Sequence, residues 1–231
     1  MKKYVNLFVF VFMIGACLSQ GRAQTKSAVS YKNPVVDIAM PDPTVIKAAD
    51  GYFYVYATES TRNVPIMKSK DLVEWTYCNT AFTNKTRPRF EPKAGIWAPD
   101  INYINGKYVL YYAMSVWGGE QTCGIGVATA DSPQGPFTDH GKMFRSNEIG
   151  VQNSIDPSLL QYEGRNYLVW GSFRGIYVIE LTADGLSIMS GAKKKRIAGT
   201  AFEAVYIHKT RRLLLYVCLH RKLLSRSEKY I

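Results

Sequence analysis

The chain has 231 residues, of which 47% are apolar and 13% aromatic, a composition that supports a folded core. Its formal net charge is +11, but the excess lies at the two ends. Residues 1–23 carry +3 and residues 209–231 carry +6, which leaves +2 for residues 24–208. A central part so close to neutral does not predict a phosphate-binding surface, so we expect no nucleic-acid partner.

Residues 1–23 have the order of a secretory signal peptide. Lys2 and Lys3 precede an apolar run from Leu7 to Leu18, and small residues up to Ala23 offer a cleavage point. The apolar run is too short to span a bilayer. The alternative is lipoprotein-type processing at Cys17. We therefore expect a secreted or periplasmic protein, with lipid anchoring through Cys17 as its only route to a membrane.

Residues 24–208 contain a degenerate repeat in which an acidic residue precedes a strand, a turn and a second strand. The copies begin at Asp42, Asp100, Asp156 and Glu203, which are 58, 56 and 47 residues apart. The segments after the acids are rich in β-branched and aromatic residues, and glycine turns interrupt the first three copies. Repeated units of short strands predict an all-β fold of the β-propeller type. Because each acid stands before its unit's first strand, we expect the carboxylates to converge at one end of the fold.

Converging carboxylates are typical of glycoside hydrolysis. One carboxyl group protonates the leaving oxygen while another activates water or attacks carbon. A third nearby carboxylate raises the pKa of its neighbours and so keeps an acid protonated near neutral pH. Flat aromatic rings suit sugars, and Trp97 and Trp117 are the candidates for stacking.

The cysteines do not predict a metal site. After Cys17 the chain has Cys78, Cys123 and Cys218, without a paired C-x-x-C spacing. A disulfide between Cys78 and Cys123 and two free thiols are both compatible with the sequence.

Four segments resemble successive blade motifs of glycoside hydrolase family 43. They are residues 39–45, 95–100, 153–158 and 200–203, and residues 170–177 resemble the arabinan endo-1,5-α-L-arabinosidase branch of that family. The resemblance covers about residues 33–208. It implies a five-bladed propeller that cleaves α-1,5-linked L-arabinan of plant cell walls with inversion at the anomeric carbon. Separately, we expect a monomer.

The same resemblance assigns roles to individual residues. It makes Asp42 the general base, Glu203 the general acid, and Asp156 the residue that tunes and orients that acid. Inversion would place the carboxyl groups of Asp42 and Glu203 roughly 6.5 to 9.5 Å apart. The sugar-binding residues would be Trp97, Asn153, Ser154, Ser172 and Phe173. No cofactor is required; an axial structural calcium occurs in the family, but its histidine ligand would come from a fifth blade that is missing here.

The repeat pattern stops after Lys209. Instead of a glycine turn and a tyrosine-rich strand, residues 209–231 form a basic tail that we interpret as aberrant. Our hypothesis is a shifted reading frame after Lys209, which sequencing of the gene tests, and the alternative is a basic amphipathic helix at a membrane surface. About three blades and the start of a fourth would then be present, so we expect little arabinanase activity from this chain.

Two other functions remain open on the sequence. One is an exo-acting α-L-arabinofuranosidase or β-xylosidase of the same fold, which would use the same three acids. The other is an inactive, truncated propeller that binds carbohydrate without hydrolysing it.

Overall fold

In residues 30–210 and 213–220, which a computed structural model describes, the chain forms fourteen strands and one four-residue helix. This confirms the predicted all-β class. The signal segment 1–23 and Cys17 lie outside the described residues. Within these residues, no helix has the length and apolar character needed to cross a lipid bilayer.

The strands form three four-stranded antiparallel sheets and one hairpin. In each sheet, strands that are consecutive in the chain are neighbours. The first sheet contains β1 (Thr44–Lys47), β2 (Phe53–Tyr56), β3 (Pro65–Ser69) and β4 (Thr76–Thr80). The second contains β5 (Gly95–Ile104), β6 (Lys107–Ser115), β7 (Gly124–Ala130) and β8 (Thr138–Arg145), and is followed by helix α1 (Ser146–Ile149). The third contains β9 (Ser158–Tyr162), β10 (Arg165–Trp170), β11 (Ile176–Leu181) and β12 (Lys195–Ala198), and the hairpin contains β13 (Phe202–Lys209) and β14 (Leu214–His220).

Two-residue turns connect the first two strands of the second and third sheets. The turns are Asn105-Gly106 and Glu163-Gly164, and all four residues have positive φ. Such turns match the twist of an antiparallel hairpin, and glycine adopts their backbone without steric cost. These hairpins were predicted from the sequence.

The sheets pack face to face through apolar side chains. Along β6, Tyr112 belongs to the cluster shared with the first sheet, while the adjacent Tyr111 belongs to the cluster shared with the third sheet. This alternation follows from the two-residue period of a strand. The first strands of successive sheets also lie side by side, with β1 beside β5, β5 beside β9 and β9 beside β13. The segments that begin these strands therefore gather at one end of the structure.

The structure corrects the predicted register of the repeat. Asp42, Ala98 and Asp156 have φ of 49°, 40° and 56°, and each precedes a proline. The pairing of β5 with β6 is irregular between Trp97 and Asp100. The residue of the second sheet that matches Asp42 and Asp156 is Ala98, and Asp100 lies two residues after it. Asp42 and Asp156 are thus equivalent by position, whereas Asp100 is not their counterpart.

Part of the basic tail forms a strand. Leu214–His220 pair with β13 in antiparallel register, and Lys209 is opposite Leu214. The alternative of an amphipathic helix is therefore wrong for these residues. The reading-frame hypothesis stays a hypothesis, and residues 211–212 and 221–231 lie outside the described residues.

Candidate functional site

A cavity of about 580 Å³ lies where the first strands of the sheets begin. Asp42 and Asp156, which precede β1 and β9, both line it. Ala204 also lines it, directly after Glu203 near the start of β13. The topology thus brings three segments far apart in sequence to one place, as the repeat predicted.

Asp156 is the carboxylate at the centre of this group. Burial, the charge of Glu203 and the charge of Asp42 together raise the pKa of Asp156 to about 7. The carboxylates therefore interact electrostatically, and a proton is retained among them close to neutral pH. The backbone N–H of Ala204 donates to Asp156 Oδ2 at 3.3 Å, which connects β13 to the segment before β9.

Asp42 is exposed, and its orientation is set by a neighbouring hydroxyl group. Thr58 Oγ1 donates to Asp42 Oδ2 at 2.6 Å and accepts from the backbone N–H of Ala98, also at 2.6 Å. Asp42 precedes β1, Thr58 follows β2, and Ala98 lies in β5. One chain of hydrogen bonds therefore connects these three segments. An exposed, oriented carboxylate is well placed to contact a water molecule.

Glu203 is half-buried and bonded to a residue of the third sheet. Ser172 Oγ donates to Glu203 Oε2 at 3.0 Å. The amide of Asn153 in turn donates to the backbone oxygen of Ser172 at 2.9 Å. The Ser172 loop is joined to β13 as well, because the Phe173 N–H donates to the oxygen of Phe202 at 2.9 Å.

Left-handed backbone is concentrated in these segments. Six residues other than glycine have φ between 40° and 56° there: Asp42, Ala98, Asn153, Asp156, Phe173 and Ala204. Such conformations cost about 1–3 kcal/mol each and persist where the surrounding structure enforces them, often at functional sites.

Two serines predicted to bind sugar are buried and bonded within the protein. Ser154 is fully buried, its hydroxyl donates to the oxygen of Val151 at 2.8 Å, and it accepts from the Trp170 indole at 3.1 Å. Ser172 is buried as well and bonds Glu203. Both hydroxyls thus hold the loops that carry the carboxylates, and the contact of these serines with sugar stays a prediction.

Trp97 and Trp117 form the aromatic surface that the sequence indicated. Their ring centroids are 6.4 Å apart with an interplanar angle of 56°. Trp97 is half-buried, whereas Trp117 is 94% exposed. An indole so exposed next to another indole offers an apolar face on which a sugar ring can stack.

A buried ion pair supports the segment before Trp97, and sequence analysis missed it. Glu59 pairs with Arg87 and also accepts from the backbone N–H groups of Asn63 at 2.8 Å and Ile96 at 2.9 Å. Burial acts to raise the pKa of Glu59, but the bonds from Arg87 and the two N–H groups outweigh it and lower the pKa. No local pattern marks this pair, because its members are 28 residues apart.

Asp100 connects neighbouring strands. Its Oδ2 accepts from the backbone N–H of Leu159 and from Asn102 Nδ2, both at 2.7 Å. Burial raises its pKa to about 6 against the effect of these bonds and of Thr44. Asp100 lines the cavity, but its bonds go to the first strands of three sheets, so it holds them together where Asp42 and Asp156 emerge.

The described cysteines form no disulfide, and the described residues contain no cluster of typical metal ligands. Cys78, Cys123 and Cys218 are free thiols. Within residues 30–210 and 213–220, no three His, Cys, Asp or Glu side chains are grouped so that they could hold a metal ion. The axial calcium of the family stays an expectation from the resemblance.

This chain is similar in sequence to proteins named as arabinanases. The extracellular endo-α-(1→5)-L-arabinanase 1 of Bacillus subtilis is 38% identical over 140 residues, which are 57% of this chain and 43% of that protein. A probable arabinan endo-1,5-α-L-arabinosidase C of Neosartorya fischeri is 33% identical over 160 residues, covering 67% of this chain and 48% of the relative. The chain thus spans less than half the length of these relatives.

Solved structures share its fold. Native Bacillus subtilis arabinanase superposes with a TM-score of 0.66 at 31% identity, over 76% of this chain and 64% of that one. An exo-1,5-α-L-arabinanase from a bovine ruminal metagenomic library superposes with a TM-score of 0.64 at 29% identity, over 78% of this chain and 64% of that one. The family model for glycosyl hydrolases family 43 matches residues 31–212, so the chain belongs to that family.

Proposed function

We propose that this protein is an inverting glycosidase that cleaves α-1,5-linked L-arabinan. The observation that carries the proposal is the electrostatic coupling of Asp156 with Glu203 and Asp42. Hydrolysis of a glycosidic bond needs one protonated and one ionised carboxyl group at the same site. Three carboxyl groups that together retain a proton close to neutral pH meet this need. The proposed reaction uses these carboxyl groups and water alone.

In the proposed mechanism Glu203 is the general acid and Asp42 the general base. Glu203, oriented by Ser172, gives its proton to the glycosidic oxygen as the bond to the anomeric carbon breaks. Asp42, oriented by Thr58, takes a proton from the water that attacks the opposite face of the sugar. Asp156 lies beside both and favours the protonated state of the group.

The substrate and the complete architecture are part of the same proposal. Arabinan is proposed because the matched relatives are named arabinanases and because the Trp97–Trp117 surface suits a sugar ring. Three sheets with adjacent first strands and the start of a fourth support the family's five-bladed propeller as the architecture of the whole protein. We propose an exported protein, since relatives from Bacillus subtilis and Thermotoga petrophila are named extracellular.

The direct test follows the first product formed from linear arabinan. Proton NMR of a fresh digest should show the inverted β-anomer before mutarotation. Endo cleavage should lower the viscosity of the solution much faster than reducing ends appear. Release of reducing ends with little change in viscosity would favour the exo alternative. That alternative is supported by the structural similarity to an exo-1,5-α-L-arabinanase. First release of the α-anomer would contradict inversion.

Removing an indole from the aromatic surface should weaken oligosaccharide binding. We expect Trp97→Ala to lower the affinity for arabinotriose about tenfold, or ~1.4 kcal/mol, because the apolar face of a sugar loses its platform. Trp97→Phe should restore most of the loss. Calorimetric titration of the purified chain measures both. Unchanged affinity in Trp97→Ala would show that sugars bind elsewhere.

A further inference from the structure

A second cavity, of about 430 Å³, is lined by basic residues. It lies between the loop that joins β2 to β3 and the loop that joins β4 to β5. Four of its lining residues are cationic and one is acidic: Arg62, Arg87, Arg89, Lys93 and Glu91. Among the described residues, it shares no lining residue with the cavity of the carboxylates.

Two arginines of this cavity are anchored on the same residue. Arg62 Nε donates to Asn84 Oδ1 at 3.1 Å, and Arg89 donates to the backbone oxygen of Asn84 at 3.0 Å. Arg62, from the loop that joins β2 to β3, and Arg89, from the loop that joins β4 to β5, are thereby held at the same residue. Like charges in proximity repel, so the arrangement is favourable when an anion lies between or against them.

The acids nearby are already engaged by other cations. Glu59 pairs with Arg87, and Glu91 pairs with Arg145. Within residues 30–210 and 213–220, no carboxylate lies within ion-pair distance of Arg62, Arg89 or Lys93. The cavity therefore has three positive charges that no carboxylate of the described residues neutralises.

The cavity lies at the same end of the sheets as the carboxylates. Glu59, the partner of Arg87, accepts from the N–H of Ile96, the residue before Trp97. Thr58, the residue before Glu59, donates to Asp42. The bonds of Thr58 and Glu59 therefore connect the wall of this cavity to the segments that carry Asp42 and Trp97.

We propose that this basic cavity binds the carboxylate of an acidic sugar, a uronate residue, carried by the polysaccharide that the carboxylate site cleaves. The inference rests on the proposed function, which supplies the polysaccharide. The positive charge of the cavity indicates that the bound sugar is negatively charged. A planar guanidinium group forms paired hydrogen bonds with a planar carboxylate, and Lys93 adds a mobile positive charge. The near-neutral charge of residues 24–208 favours this local site over a general polyanion-binding surface.

Calorimetric titration of the full chain with trigalacturonate, arabinotriose and inorganic phosphate tests the proposal. The triple variant Arg62→Gln, Arg89→Gln, Lys93→Gln should bind trigalacturonate at least tenfold more weakly and bind arabinotriose within twofold of wild type. Lys193→Gln, Lys194→Gln, Lys195→Gln removes the same charge from the segment leading into β12 and should leave trigalacturonate affinity within twofold. Arg89→Lys keeps the charge but loses the fork, so an intermediate loss is expected.

Three results would overturn the proposal: an equal loss in the Lys193–Lys195 variant, phosphate affinity equal to that for trigalacturonate, or no trigalacturonate binding by wild type. Thermal melting of each variant shows whether it is folded, and Arg89→Lys provides a milder substitution if the triple variant is not. Failure of the proposed function gives a different pattern, in which trigalacturonate binding persists while arabinotriose is neither bound nor cleaved.

Discussion

Replacing Glu203 with Gln should reduce whatever rate of linear-arabinan hydrolysis the chain shows by about 10²–10⁴-fold, the usual contribution of a general acid. The amide keeps the shape of the side chain and can still accept from Ser172, but it has no proton to give to the leaving oxygen. Arabinotriose affinity should stay within about threefold of wild type. Initial rates of reducing-end release and calorimetric titration measure the two quantities.

This substitution also separates an enzyme from a binding protein. A carbohydrate-binding protein without turnover would bind arabinotriose in both forms, and neither form would release product. Ser172→Ala is the matched positioning control, because it removes the hydroxyl that orients Glu203 but leaves its proton. Its rate should fall less than that of Glu203→Gln. Equal rates in wild type and Glu203→Gln would remove Glu203 from the mechanism.

The sequence was sufficient to predict the hairpins and the gathering of the acids. Glycine turns between β-branched and aromatic runs set the strands, and recurrence of that unit placed the acids before the first strands. It was not sufficient for their register. The left-handed residue of the second repeat is Ala98, and alanine does not signal positive φ. The residue before a proline also favours extended backbone, so Asp42 and Asp156 adopt left-handed backbone against local preference.

The supporting contacts of the site depend on long-range geometry. The hydroxyl of Ser172 meets Glu203 across 31 residues, and Leu159 meets Asp100 across 59. Residue type alone did not show that the buried Ser154 hydroxyl accepts from the Trp170 indole. The acids could be selected because their chemistry is distinctive, whereas serine, asparagine and backbone N–H groups occur everywhere in the chain.

Asp156→Asn should stabilise the folded protein at pH 8. The pKa of Asp156 is raised from 3.8 in the reference state to about 7, so the native state binds more protons than the unfolded state between these values. The free energy of unfolding therefore falls as pH rises from about 4 to 7, and the loss persists above that range. The difference between these two pKa values corresponds to at most ~4 kcal/mol, and asparagine removes this cost because it has no charge to bury.

Thermal melting at two pH values tests the stabilisation. The melting midpoint of a chain of this size shifts by about 2–4 °C per kcal/mol, so the midpoint of Asp156→Asn at pH 8 should exceed that of wild type by up to roughly 8–16 °C. At pH 4 the two midpoints should nearly coincide, because the wild-type carboxyl group is then protonated. Asp131→Asn is the control, since this exposed carboxylate makes only a surface ion pair with Lys107 and should shift the midpoint little. A midpoint for Asp156→Asn at or below wild type at pH 8 would show that burial and the charges of Glu203 and Asp42 do not raise the pKa of Asp156, and the electrostatic basis of the proposed mechanism would be lost.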